Sequence, residues 1–254
     1  MELFGRGEIP MLTTSLHRQV GQKIIVALDF SSEKEAMHFL DKFDPSGPLC
    51  FVKVGMELFY SAGPSIISQI RQRNLEIFLD LKLHDIPNTV ERAVAVLAQL
   101  DVSIINVHSL GGRPMMLGAR RALKEAKEKN KKLRLIGVTH LTSTSSEILR
   151  QDLNIQSEIQ SDVVRLAGLV KDAGLDGVVC SSLEVSKLRA KFGQDFLLVT
   201  PGVRLDVDKS GDQKRVATPA EAIKWGADYL VVGREVTTAH DPVAMFEKIL
   251  MSIK

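Results

Sequence analysis

A short run, Phe78-Leu79-Asp80-Leu81-Lys82-Leu83-His84-Asp85-Ile86-Pro87-Asn88-Thr89, concentrates side chains able to do chemistry. It starts as an apolar string of strand type, yet Asp80, Lys82 and Asp85 bring two carboxylates and an ammonium within six residues. Positions two apart in a strand share a face, so Asp80 and Lys82 are expected to point into whatever the strand lines. Unpaired buried charge costs several kcal/mol or more, so these charges must neutralise one another or serve a site. Asp85 falls on the opposite parity, at or beyond the strand end. It is a candidate for a different surface, one facing another subunit.

Elements that would position this run recur along the chain. Eight β-rich runs stand at Ile24–Phe30, Phe51–Gly55, Ile77–Lys82, Val102–His108, Leu133–Leu141, Gly177–Cys180, Phe196–Thr200 and Tyr229–Gly233. Several are continuous apolar strings, the mark of parallel strands covered on both faces. Segments of helical periodicity lie between them: Glu91–Gln99, Gly112–Lys129, Ser161–Ala173 and Thr218–Gly226. The last two open on good N-cap residues and close near a glycine. A spacing of about 30 residues fits repeated βαβ units. The expected fold is therefore α/β, a (β/α)8 TIM barrel in a single domain. A doubly wound open sheet is the alternative, disfavoured because no glycine fingerprint follows the first strand. Residues 1–22 read as an N-terminal extension, a loose or edge-packing arm, and 23–254 as the barrel.

Composition narrows the partners. The chain has 254 residues, 44% hydrophobic and 25% charged, with a net charge of +2. That balance gives no argument for nucleic acid or a membrane surface. No apolar stretch approaches the roughly 18 residues of a membrane span. Residues 1–22 lack the pattern of a secretory signal. Cys50 and Cys180 sit in separate apolar runs, so two buried free thiols in a reducing, cytoplasmic compartment are expected.

A parallel barrel carries its site at the C-terminal ends of its strands. Those ends hold Asp29, Lys53, Asp80 with Lys82 and Asp85, His108, His140-Leu141-Thr142-Ser143, Thr200-Pro201-Gly202-Val203-Arg204 and Gly233-Arg234. The strand starts hold no comparable set, which favours an enzyme. The lysines and carboxylates suit an alternating array in which each charge holds its neighbours ionised. A structural ion-pair network tying strands together is the alternative. Gly233-Arg234 suits a phosphate, with backbone approach at the glycine and a guanidinium beside it. The polar loop Leu205–Pro219 is long enough to close over one, with Gln213 as donor. His84, His108 and His140 lack paired metal-ligand spacing and read as core or supporting histidines, so no metal is expected. No arrangement suggests a serine or cysteine nucleophile.

Several motifs resemble the orotidine 5′-phosphate decarboxylase family. They are Asp80-x-Lys82-x-x-Asp85-Ile86-Pro87-Asn88-Thr89, Val26-Ala27-Leu28-Asp29, Val52-Lys53-Val54-Gly55, Asn106-Val107-His108 with Gly111-Gly112, Val138-Thr139-His140-Leu141-Thr142-Ser143, Thr200-Pro201-Gly202-Val203-Arg204, Gly211-Asp212-Gln213-Lys214-Arg215 and Val232-Gly233-Arg234. The match runs from Lys23 onward. The resemblance implies a homodimer with sites at the interface and neither metal nor organic cofactor. It assigns Lys82 as proton donor, with Asp80, Lys53 and Asp85 completing the catalytic set. Substrate contacts would come from Asp29, Lys53, Ile86, Thr89, Thr142, Pro201, Arg204, Gln213, Gly233 and Arg234. Asp85 and Thr89 would reach into the partner's site. The rivals are a magnesium-dependent sugar-phosphate lyase sharing the aspartate-lysine motif, a phosphate-binding barrel isomerase and a catalytically silent barrel.

Overall fold

The computed structural model describes residues 14–126, 132–205 and 217–253. Eight strands close into a barrel: β1 Ile24–Ala27, β2 Phe51–Gly55, β3 Glu76–Leu83, β4 Ile104–His108, β5 Arg134–Val138, β6 Gly177–Val179, β7 Leu197–Pro201 and β8 Tyr229–Val232. Each is parallel to the next, and β8 pairs with β1. Among the described residues the helices are α1 Thr14–Gly21, α2 Glu33–Leu40, α3 Met56–Ala62, α4 Ser65–Arg71, α5 Pro87–Leu97, α6 Gly112–Ala126, α7 Ser146–Gln151, α8 Ile159–Asp172, α9 Val185–Phe192, α10 Pro219–Lys224, α11 Arg234–Thr237 and α12 Pro242–Ser252. The (β/α)8 expectation holds, and the open sheet is excluded by the β1–β8 pairing.

Two cores follow from the period of two along each strand. Ile25, Ala27, Phe51, Phe78, Ile104, Ile136, Val199 and Val231 fill the barrel interior. Their neighbours, such as Val26, Val52, Ile77, Leu79 and Leu230, pack outward under the helices. The interior parity continues upward, mostly into polar residues. Ala27 is followed two residues on by Asp29, Phe51 by Lys53, Phe78 by Asp80, Ile104 by Asn106, Val199 by Pro201 and Val231 by Gly233. The plug of apolar side chains thus forms the floor of the site, and the next layer up is the site itself.

Some boundaries differ from expectation. β5, expected to reach Leu141, stops at Val138, because Thr139 turns its N–H and hydroxyl to the Val179 carbonyl (3.3 and 2.9 Å). β1, expected to reach Phe30, stops at Ala27, and Ser32 caps α2 just beyond. β4 begins at Ile104 rather than Val102, whose N–H is taken by Leu100 in a tight turn. α8 starts before Ser161, since the Glu158 carbonyl already accepts from Ser161 and Asp162. Thr218 caps α10 as expected, in a reciprocal box with Glu221.

Of the expected N-terminal extension, residues 14–21 form α1, and residues 1–13 lie outside the described residues. Val20 packs against the outer core. Gly21 is buried so close to the Pro48 carbonyl that no side chain fits there. Cys50 and Cys180 are buried and form no disulfide. Met115 and Met116 are core residues and Trp225 packs onto the same core. No helix among the described residues is long and apolar enough to cross a membrane.

Candidate active site

An unbroken line of alternating charge crosses the barrel mouth. Lys53 Nζ lies 2.9 Å from Asp29 Oδ1 and 3.4 Å from Asp80 Oδ2, and Lys82 Nζ lies 2.8 Å from Asp80 Oδ1. The inner members are deeply placed, the Lys53 and Asp80 side chains each 11% exposed, while Asp29 at 57% opens to solvent. Burial alone would push the Lys53 ammonium down. Asp80 and then Asp29 outweigh it and hold the group above its ordinary value. Burial would likewise raise Asp80, but Lys53, Lys82 and a hydrogen bond from Asn106 hold its carboxyl below the usual range. Both groups are therefore charged across the physiological range.

Strand β3 is bent to present its two charges. Leu79 pairs with Ile105 and Leu83 with Val107, so β3 uses more residues than β4 over the same rise. The bulge holds Asp80, Leu81 and Lys82, and Lys82 takes φ +50°, the left-handed region that a residue with a side chain adopts at a cost of about 1–2 kcal/mol. Asn106 on β4 closes the broken ladder. Its Oδ1 accepts from the Lys82 N–H at 2.7 Å, and its Nδ2 donates to Asp80 Oδ1 at 2.6 Å. Sequence reading met Asn106 only inside a motif and gave it no role. The available signal was a buried amide on the interior parity of a parallel strand, two residues above Ile104. Gly55 was likewise passed over. A Cβ there would come 3.2 Å from Lys53 Nζ and 3.3 Å from Asp29 Oδ1, so the glycine keeps room for that pair.

Two adjoining cavities open from this line. One, of about 260 Å³, is lined by Lys53, Asp80, Lys82, Thr142, Pro201 and Val231, with His140, Leu141 and Ser143 on its β5 side. The other, of about 400 Å³, is lined by Asp29, Gly202, Arg204, Val231, Gly233, Arg234 and Glu235. Val231 borders both, and Asp29 stands at the second while bonded to a residue of the first. The pair suits a ligand with a planar, partly apolar end and an anionic end. Gln213 lies outside the described residues, as does most of the loop expected to close over the anion.

Asp85, Ile86 and Thr89 do not join the charge line within the chain. All are exposed, Ile86 at 66%, where β3 runs into α5, and the Asp85 carboxylate accepts from the Ile86 N–H at 2.6 Å. Of the three histidines at the strand ends, His84 and His108 stack with centroids 5.4 Å apart, and His140 pairs with Asp162.

Fold and site together define a barrel enzyme in which a lysine–carboxylate array adjoins a glycine-lined recess that carries Arg204 and Arg234. Residues 22–249 match the family model described as "Orotidine 5'-phosphate decarboxylase / HUMPS family". Orotidine 5′-phosphate decarboxylase of Bacillus cereus (strain G9842) is 48% identical over 231 residues, spanning 91% of this chain and 96% of that protein. The enzyme of the same name from Lactococcus lactis subsp. lactis (strain IL1403) is 48% identical over 226 residues, 89% of this chain and 95% of its own. The crystal structure of orotidine 5′-phosphate decarboxylase from Lactobacillus acidophilus superposes with a TM-score of 0.80 at 41% identity, covering 91% of this chain and 98% of that one. The chain belongs to the orotidine 5′-phosphate decarboxylase / HUMPS family, and within it is a carboxy-lyase.

Proposed function

We propose that Lys82 is the stabilising cation and proton donor of this carboxy-lyase, which decarboxylates orotidine 5′-phosphate to uridine 5′-phosphate in pyrimidine biosynthesis. The observation that carries the reading is the alternating line Asp29–Lys53–Asp80–Lys82 at the barrel mouth. Loss of carbon dioxide leaves an electron pair in the plane of the pyrimidine ring, where the π-system cannot spread it. A preorganised ammonium beside that carbon is the direct remedy, because its field needs no reorganisation as charge develops. Lys82 then gives a proton to the carbon and regains one from solvent. Asp80, held ionised by Lys53 and Lys82, fixes the ammonium by a 2.8 Å contact.

The remaining contacts follow the two cavities. Thr142 and Pro201 face the base, and Asp29 and Lys53 face the ribose. Arg234, Arg204, Gln213 and the Gly233 backbone hold the phosphate. Remote binding of that group is then expressed as catalysis rather than as affinity alone. Asp85 and Thr89 are proposed to enter the partner's site in a homodimer, which accounts for a carboxylate left exposed where β3 runs into α5. Residues 1–22 precede the catalytic barrel as an extension, in a cytoplasmic enzyme. The reading needs neither metal nor organic cofactor, since the cation is Lys82.

An ultraviolet assay of orotidine 5′-phosphate loss tests the proposal. Lys82→Ala should lower kcat by at least about 10³-fold while keeping native circular dichroism. Near-normal uridine 5′-phosphate formation would remove Lys82 from the chemistry. Wild-type turnover should be unchanged in chelator, whereas a loss restored by magnesium would favour metal-dependent lyase chemistry.

A further inference from the structure

The loop that follows β5 is held in place from outside the barrel. His140 is buried, and its Nε2 lies 2.7 Å from Asp162 Oδ2. Asp162 is 2% exposed and stands in the first turn of α8; its second oxygen accepts from Arg165 Nε at 2.7 Å. A carboxylate only accepts, so the His140 proton sits on Nε2. The next three residues, Leu141, Thr142 and Ser143, line the base-sized cavity together with His140.

An ionised carboxylate is costly at this position. Its neighbours on α8, Val163, Leu166 and Ala167, are buried apolar residues that already pack the helix. Burial alone would raise the Asp162 pKa, but the Arg165 and His140 bonds outweigh it and keep the carboxyl below its usual range. An apolar side chain would hold α8 against the barrel without that desolvation cost. What it could not do is fix the direction of His140. Directional support of this kind is how an outer residue sets the geometry of a binding group.

We propose that Asp162 and His140 are positioning residues for base recognition: through the buried pair, α8 sets the path of residues 140–143 and so the placement of Thr142 against the pyrimidine. The inference rests on the assignment of Thr142 as the base contact. It adds a residue 20 positions further on that touches no substrate.

The test compares Asp162→Asn, Asp162→Leu, His140→Leu and His140→Gln with Thr142→Ala in the full-length enzyme. KM and kcat for orotidine 5′-phosphate are measured, with inhibition by uridine 5′-phosphate and by ribose 5-phosphate, which lacks the base. Asp162→Asn keeps the side-chain volume and decides the matter if Asp162→Leu fails to fold. The Asp162 variants and His140→Leu should weaken uridine 5′-phosphate about ten-fold or more and leave ribose 5-phosphate within about two-fold. His140→Gln, whose amide nitrogen can donate to Asp162, should recover most of that loss. Adding Asp162→Asn to Thr142→Ala should cost little beyond Thr142→Ala alone, as coupled residues do. If Thr142→Ala loses uridine 5′-phosphate selectively while Asp162→Asn loses both ligands equally, or neither, the positioning role is overturned and base reading by Thr142 stands. If Thr142→Ala itself spares uridine 5′-phosphate, the underlying assignment fails and the inference with it.

Discussion

The Lys82 ammonium contacts Asp80 at 2.8 Å even though the backbone between them leaves strand geometry, with Lys82 at φ +50°. Side-chain parity alone would place both groups on one face. The bulge does more, turning the Lys82 N–H away from the ladder and into Asn106 while its side chain stays beside Asp80. Local strain is thus held in place by a buried amide that serves both the backbone and the carboxylate.

That strain can be measured separately from catalysis. Lys82→Gly removes the left-handed penalty as well as the ammonium, whereas Lys82→Ala removes only the ammonium. The glycine variant should be the more stable of the two by about 0.5–1 kcal/mol in denaturant unfolding, after the extra chain entropy of glycine is subtracted. Equal midpoints would mean that the strain at Lys82 is no larger than the entropy cost of glycine.

His108 predicts an acid-side loss of stability. Burial, then His84, His140 and Lys82 nearby, pushes its pKa down to about 4. The unfolded value is about 6.5, so the unfolded chain binds the extra proton between these limits. The contribution is complete above about pH 6.5 and is lost as pH falls toward 4. Asp80, depressed below its ordinary value, loses its contribution only at lower pH. Melting temperatures from pH 7.5 to 4 should fall less steeply in His108→Gln than in the wild type, and parallel curves would rule the histidine out.

Arg234 lines the recess assigned to the phosphate. Arg234→Ala should lower kcat/KM for orotidine 5′-phosphate by about 10²-fold, as loss of a charge-assisted anion contact does. Decarboxylation of the phosphate-free nucleoside should change little. A comparable loss on both substrates would argue against phosphate capture.

Shared sites in a homodimer give a complementation test. Lys82→Ala and Asp85→Ala homodimers should each be nearly inactive. Mixed under exchange, they form heterodimers in which one of two sites is intact, so roughly a quarter of wild-type activity should return. If activity stays at the level of the separate variants, Asp85 acts within its own chain or not at all.

Much of the barrel was legible because its signals are local. Eight β-rich runs, their spacing and the N-cap at Thr218 depend on neighbours in sequence, and the strands appear within a few residues of expectation. Boundaries at the mouth were less legible. β5 read as continuing to Leu141 because Leu133–Leu141 is one β-rich run, but Thr139 finds its partner on β6. Ser161 read as a cap from its type alone, whereas the helix begins where the Glu158 carbonyl finds donors.

By itself the sequence determined the parity that carries Asp29, Lys53, Asp80 and Lys82 above the apolar plug, since a period of two is a property of any strand. Only the closed barrel decided which of these charges meet. Lys53 reaches Asp80 because β2 and β3 run parallel in one register, Asn106 reaches Lys82 because β3 bulges against β4, and Asp162 reaches His140 because α8 packs over β5. Contacts between residues 20 or more positions apart depend on register and helix packing, which the whole core settles together, so no local pattern could announce them.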